Sequence, residues 1–151
     1  MAPLVSVIIP TYNRADLVRQ ALASVKAQTY RDFEIVVVDD GGTDGTFEAL
    51  AAGRELRVLR HPDRLGVAAA RNRGSAGARG EVIAFHDDDD RWLPDHLAGL
   101  AEAFRDPAIA FAWRDSAVIR EEIAPDGTRH ERARRLIAHD WDDDLMRHDD
   151  F

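Results

Sequence analysis

Four consecutive aspartates, Asp87, Asp88, Asp89 and Asp90, follow the strand-like run EVIAF and His86 with no loop residue to separate them. Like charges set this close repel unless a cation or hydrogen-bond donors meet them. Hard oxygen donors without a cysteine or histidine framework select Mg²⁺ or Mn²⁺, and such an ion keeps positions open for a diphosphate. The plainer reading is a solvated turn, with Asp90 contributing to the cap of a helix that begins at Pro94.

Three other groups stand just after apolar runs, where an open α/β sheet binds its ligands. Pro10, Thr11, Tyr12 and Asn13 follow the first run. Tyr12 there either stacks on a base or covers the sheet edge. Asp39 and Asp40 close the second run, where a carboxylate accepts from a base edge or a ribose hydroxyl, or else caps the turn GGTDGT. Gly41 and Gly42 allow close backbone approach in either case. Arg71 and Arg73 lie near a helix start behind Gly66, which suits a nucleotide or its phosphates.

The elements that would position these groups follow from periodicity. VSVII, residues 5–9, reads as a strand buried on both faces and stopped by Pro10. In NRADLVRQALASVKAQ, Leu17, Val18, Ala21, Leu22 and Val25 share one face at helical spacing, and Asn13 with Asp16 resembles a capping arrangement. Strands are expected at 33–40, 57–60 and 81–85, and helices at 47–52, 67–78 and from Pro94 to Asp106. This alternation predicts an α/β fold, a doubly wound, mostly parallel sheet with flanking helices. Past Asp106 two β-type runs flank APDGT, a hairpin turn, and the acidic stretch AHDWDDDLMRHDDF offers no closing element. We read one structural domain, with a ligand-binding core over 1–106 and a distinct region over 107–151.

Composition narrows the function. With 45% hydrophobic and 32% charged residues, the 151-residue chain reads as soluble and globular. A net charge of −8 without a Lys/Arg block argues against nucleic acid as a partner. The absence of cysteine excludes disulfides, thiolate metal sites and cysteine nucleophiles, and Lys26 is the single lysine. No window reaches ~18 apolar residues and no basic leader is present, so the expectation is a cytoplasmic chain without a transmembrane segment.

The stretches VSVIIPTYNRADLVRQALASVKAQTYRDFEIVVVDDGGTDGT and GVAAARNRGSAGARGEVIAFHDDDDRWLPDHL resemble the amino-terminal, nucleotide-sugar half of family 2 glycosyltransferases with the GT-A fold. The resemblance implies inverting, metal-dependent transfer of a sugar from a nucleotide-diphosphate sugar, a UDP-sugar above others, with Mn²⁺ or Mg²⁺ as cofactor. It leaves the acceptor hydroxyl open among a polysaccharide, a lipid-linked glycan and a protein glycan. On this resemblance Pro10, Thr11 and Tyr12, with Asn13 beside them, line the base and ribose. Asp40, with Asp39 beside it, meets the uracil edge, and Arg71 is a donor-site arginine. Asp87, Asp88 and Asp89 cover the DxD motif, with Asp89 and Asp87 as metal ligands and Asp87 or Asp88 on the ribose.

This sequence departs from the family pattern at Gly42, where Ser is usual, and at His86, where an aliphatic residue is common. Burial, or a shift toward solvent, would accommodate His86. The family's acceptor half and general base normally lie further on, so 107–151 reads as the truncated start of the acceptor side. Its tail offers Asp142, Asp143, Asp144, Asp149 and Asp150 as candidate bases.

Rival readings fail on single residues. A receiver domain needs its acidic pair after the first strand and a late lysine, and a dinucleotide-binding fold needs a glycine-rich turn where PTYNR stands. The surviving alternative is a nucleotide-sugar-binding module without transfer activity of its own.

Overall fold

The first apolar run becomes the centre of the sheet. The computed structural model describes residues 5–53, 55–114, 116–137 and 145–147. β1 (Val5–Thr11) is buried at every position. It pairs in parallel with β2 (Phe33–Asp39) on one side and β4 (Val82–Phe85) on the other, and β3 (Arg57–Arg60) pairs in parallel with β2, giving the order β3-β2-β1-β4. The register sets Val7 beside both Ile35 and Ala84, and Thr11 beside Asp39. The helices α1 (Ala15–Lys26), α2 (Thr46–Ala51), α3 (Val67–Gly77) and α4 (His96–Ala103) alternate with the strands, as the periodicity predicts.

Side chains alternate across a strand, so β1 feeds two cores. Val5, Val7 and Ile9 pack with Val18, Leu22 and Val25 of α1 and with Leu97 of α4. Ile8 joins Val36, Val38 and Ala70 on the opposite face. Coverage on both faces explains why these strands read as unbroken apolar runs. α3 comes close to the sheet because Gly74 has no side chain: a Cβ there would lie 2.3 Å from Ile8 Cγ2 and 3.2 Å from Val38 Cγ2.

Two helix starts differ from expectation, for local reasons. Asn13 does not cap α1; it adopts a left-handed φ of 52°, and its Oδ1 accepts from the Thr43 N–H at 2.7 Å. Arg14 is the N-cap residue and makes no side-chain cap bond, while Asp16 pairs with Arg19. α4 begins at His96 rather than Pro94 because α1's end already holds the preceding segment. Buried Gln28 donates to the Leu93 carbonyl and accepts from the Leu97 N–H, and the Thr29 N–H donates to the Pro94 carbonyl.

His86 leaves β4 turned inward and only 1% exposed, so burial accommodates this departure from the family pattern. Its ring lies 4.3 Å from Trp92, which stacks on His96. Burial pushes the imidazole down to about 4, so it is neutral at neutral pH.

The chain divides into two compact units, Met1–Ala101 and Glu102–Phe151. In the second, β6 (Ser116–Ile123) and β7 (Arg129–Ile137) form the antiparallel hairpin expected around APDGT. The turn is closed by Gly127 N–H to the Ala124 carbonyl and by Ala124 N–H to the Thr128 carbonyl, with Gly127 at a φ of 84°. β5 (Ile109–Ala112) pairs antiparallel with β8 (Leu145–Arg147), so the acidic stretch does supply a closing strand, against expectation. Three residues from a charged segment give too short a period to read. Among the described residues no helix is long and apolar enough to cross a membrane.

Two outcomes follow for stability. Gly74→Ala should destabilise the chain by about 1–3 kcal/mol in urea unfolding, because buried Ile8 has nowhere to move. For His86 the folded pKa of about 4 lies below the unfolded value of 6.5, so its stabilisation is present above pH 6.5 and is lost as pH falls toward 4. The full loss is about 3 kcal/mol. His86→Phe keeps the aromatic contact, and unfolding at about pH 7.5 and about pH 5 should show a smaller acid loss than in the parent.

Candidate functional site

The acidic run is met from the end of β1, the start of α1 and α3. β1 ends at Thr11, whose Oγ1 donates to Asp88 Oδ2 at 2.8 Å. Three residues on, Arg14 Nη1 donates to Asp88 Oδ1 at 2.9 Å and to Asp89 Oδ2 at 3.1 Å. Asp88, 6% exposed, is thus satisfied on both oxygens. From α3, Arg71 Nη2 donates to Asp87 Oδ1 at 2.6 Å, and its guanidinium lies 5.6 Å from the half-exposed Phe85 ring. Among the described residues no such arginine acts on Asp90. Desolvation by neighbouring atoms and the charges of Asp87, Asp89 and Asp88 raise its carboxyl above the ordinary value.

β2 delivers a second pair. Asp39 is buried; its Oδ1 accepts from the Gly42 N–H at 3.0 Å, and Oδ2 lies 3.3 Å from Arg60 Nε without a hydrogen-bond partner among the described residues. Burial pushes this carboxyl up, against the Gly42 hydrogen bond and the Arg60 charge. A Cβ at position 42 would lie 2.5 Å from Asp39 Oδ1, so glycine there lets the turn fold onto the carboxylate.

Asp40 is buried too, and its carboxylate is taken up by the β3–α3 loop. It accepts from His61 Nδ1 at 2.8 Å, from the Leu65 N–H at 2.9 Å and from the Gly66 N–H at 2.7 Å. Burial opposes ionisation, but these three bonds outweigh it and hold the carboxyl below its ordinary value. The anchored loop sets the Arg64 guanidinium 4.4 Å from the Tyr12 ring.

Of the sequence-predicted residues, Thr11, Asp88 and Asp89 are joined through hydrogen bonds with one another or with Arg14, and Arg71 pairs with Asp87 beside them. Pro10 is buried within β1, Tyr12 is partly buried beneath Arg64, and Asn13 holds the backbone at Thr43. Arg73 is exposed and does not reach the acids. Asp142, Asp143, Asp144, Asp149 and Asp150 lie outside the described residues. Sequence reasoning missed Arg14, His61 and Arg64. The signal for Arg14 was its place three residues beyond the strand-end Thr11; for His61 it was a histidine one residue past a strand.

Among the described residues no three acids or histidines are grouped as a preformed metal site. The donor set nonetheless fits a hard cation. Every donor is a carboxylate oxygen, Asp87 and Asp89 are well exposed, and burial, joined by the charges of Asp87, Asp89 and Asp88, raises the Asp90 carboxyl.

Residues 6–146 match the sequence profile of Glycosyl transferase family 2. The Bacillus subtilis glycosyltransferase TuaG, named for teichuronic acid biosynthesis, is 33% identical over 127 residues, covering 82% of this chain and 50% of that protein. Among solved structures, the mannosyltransferase PcManGT from Pyrobaculum calidifontis, in complex with GDP-Man and Mn²⁺, superposes with a TM-score of 0.65 at 34% identity, over 72% of this chain and 34% of that one. Residues 1–349 of S. aureus TarS, in complex with UDP-GlcNAc, give 0.62 at 34% identity, over 69% and 31%. The chain thus spans about half the length of TuaG and a third of these structures. These neighbours share the parallel sheet with flanking helices, the GT-A architecture expected from the motifs. With the profile match running from β1 into β8, the chain belongs to glycosyl transferase family 2.

Proposed function

We propose that this chain binds a nucleotide-diphosphate sugar across the carboxyl ends of β1, β2 and β4 and transfers its sugar to an acceptor hydroxyl with inversion. The carrying observation is that Thr11, Arg14 and Arg71 converge on Asp87, Asp88 and Asp89 at those strand ends. Family membership supports transfer, and the GDP-Man and UDP-GlcNAc complexes of similar proteins support a nucleotide-sugar donor. UDP-sugar is our favoured donor on the resemblance of Asp40 and Arg71 to the donor-site acid and arginine of uridine-using members. Asp40, buried and held by His61 and the Leu65 and Gly66 amides, would nonetheless act by shaping the base pocket through its loop rather than by meeting uracil directly.

Transfer breaks the bond between the anomeric carbon and the diphosphate oxygen while the acceptor oxygen bonds from the opposite face. The hydroxyl proton passes to a carboxylate base, for which Asp149 and Asp150 are the candidates. Arg71 and Arg14 are the cations set to meet diphosphate charge. Tyr12 offers its ring to the base, with Arg64 beside it. Asp89 and Asp87 would hold Mn²⁺ or Mg²⁺, which when bound supplies Lewis-acid neutralisation of the departing diphosphate.

Calorimetric titration with UDP, GDP and dTDP, each with Mn²⁺ and then with EDTA, tests the donor site. Metal-dependent binding that favours UDP is expected, and Asp89→Ala should weaken it at least about tenfold, the loss of one charged contact near a divalent ion. Unchanged affinity in Asp89→Ala would remove the metal role. Binding without release of nucleotide in the presence of any acceptor glycan would select the binding-module reading.

A further inference from the structure

Arg14 bridges two members of the acidic run. Its Nη1 lies 2.9 Å from Asp88 Oδ1 and 3.1 Å from Asp89 Oδ2, whereas Arg71 engages Asp87 alone. The two ends of the interaction differ in freedom. Asp88 is pinned by Thr11 and buried, while the Arg14 and Asp89 side chains are 50% and 53% exposed. Arg14 sits at the N-cap of α1, where its side chain caps nothing, so its head can leave without disturbing the helix. Its backbone stays fixed, because Asn13 next to it is held by the Thr43 N–H. Of the two oxygens that Arg14 occupies, the one on exposed Asp89 is one that a hard cation held by Asp89 and Asp87 would take.

We propose that Arg14 is an internal counter-cation to Asp88 and Asp89 that a divalent ion held by Asp89 and Asp87 displaces, so that metal uptake releases a guanidinium for the donor's diphosphate. The proposal rests on the metal role of the run argued above. Without an ion, Arg14 keeps the carboxylates ordered; with one, the same guanidinium becomes free to bind anionic substrate.

Mn²⁺ alone, titrated into the whole chain and followed by loss of the free-ion electron paramagnetic resonance signal, reads the competition. Arg14→Gln should bind Mn²⁺ about tenfold more tightly than the parent, the size expected for removing one charge a few ångströms from a divalent ion near the surface. Arg14→Lys, which keeps the charge on a single-point head, should fall between them and serves if the glutamine variant does not fold. Under saturating Mg²⁺ the Arg14 Nε–Hε resonance, assigned by its absence in either variant, should move to the position of solvated arginine. If Asp89→Ala abolishes Mn²⁺ uptake while Arg14→Gln matches the parent and the resonance stays put, the displacement idea is overturned and the metal role stands. Uptake that survives Asp89→Ala overturns both.

Discussion

Carboxylates crowded at the mouth of a buried strand must have their charge met, and this constraint organises the whole carboxyl end of the sheet. No single neighbour of the run supplies enough. Thr11 brings a hydroxyl from β1, Arg14 a guanidinium from the start of α1, and Arg71 another from α3. The register of β1 with β4 aligns the strands up to Ile8 and Phe85, so the residues just beyond both strands emerge together. A slip of one residue would turn every side chain of a strand to the other face and separate Thr11 from Asp88.

The cores on the two faces of β1 keep that register. Buried Gln28 ties α1 to the segment before α4, and neutral, buried His86 with Trp92 fills the space beneath the turn that carries the aspartates. A charged imidazole there would bring a cation into the core, and burial prevents it.

Much of this was legible in the sequence because its determinants are local. Strand runs, the helical face of Leu22 and Val25, and the Gly127 turn are set by residues within a few positions of one another. What was not legible depends on distance along the chain. Thr11 and Asp88 are separated by 77 positions, and Asp40 and His61 by 21, so no period marks either pair. Asn13 has the composition of a cap and serves instead as an acceptor for Thr43, because a side-chain oxygen goes to whichever amide the tertiary fold presents. β8 was missed because three residues in an acidic segment carry no alternation to detect.

The Asp40 anchor has an evolutionary corollary. One carboxylate holds a side chain at position 61 and two successive amides at 65 and 66, so the number of residues between them is fixed by geometry. An insertion or deletion inside this loop would carry the amides off the carboxylate. Pro62, Asp63, Arg64 and Leu65 are all exposed, and point changes at these positions leave the backbone anchor intact. Divergence in this stretch should therefore proceed by replacing side chains at constant loop length, altering the exposed surface beside Tyr12 while the span stays the same.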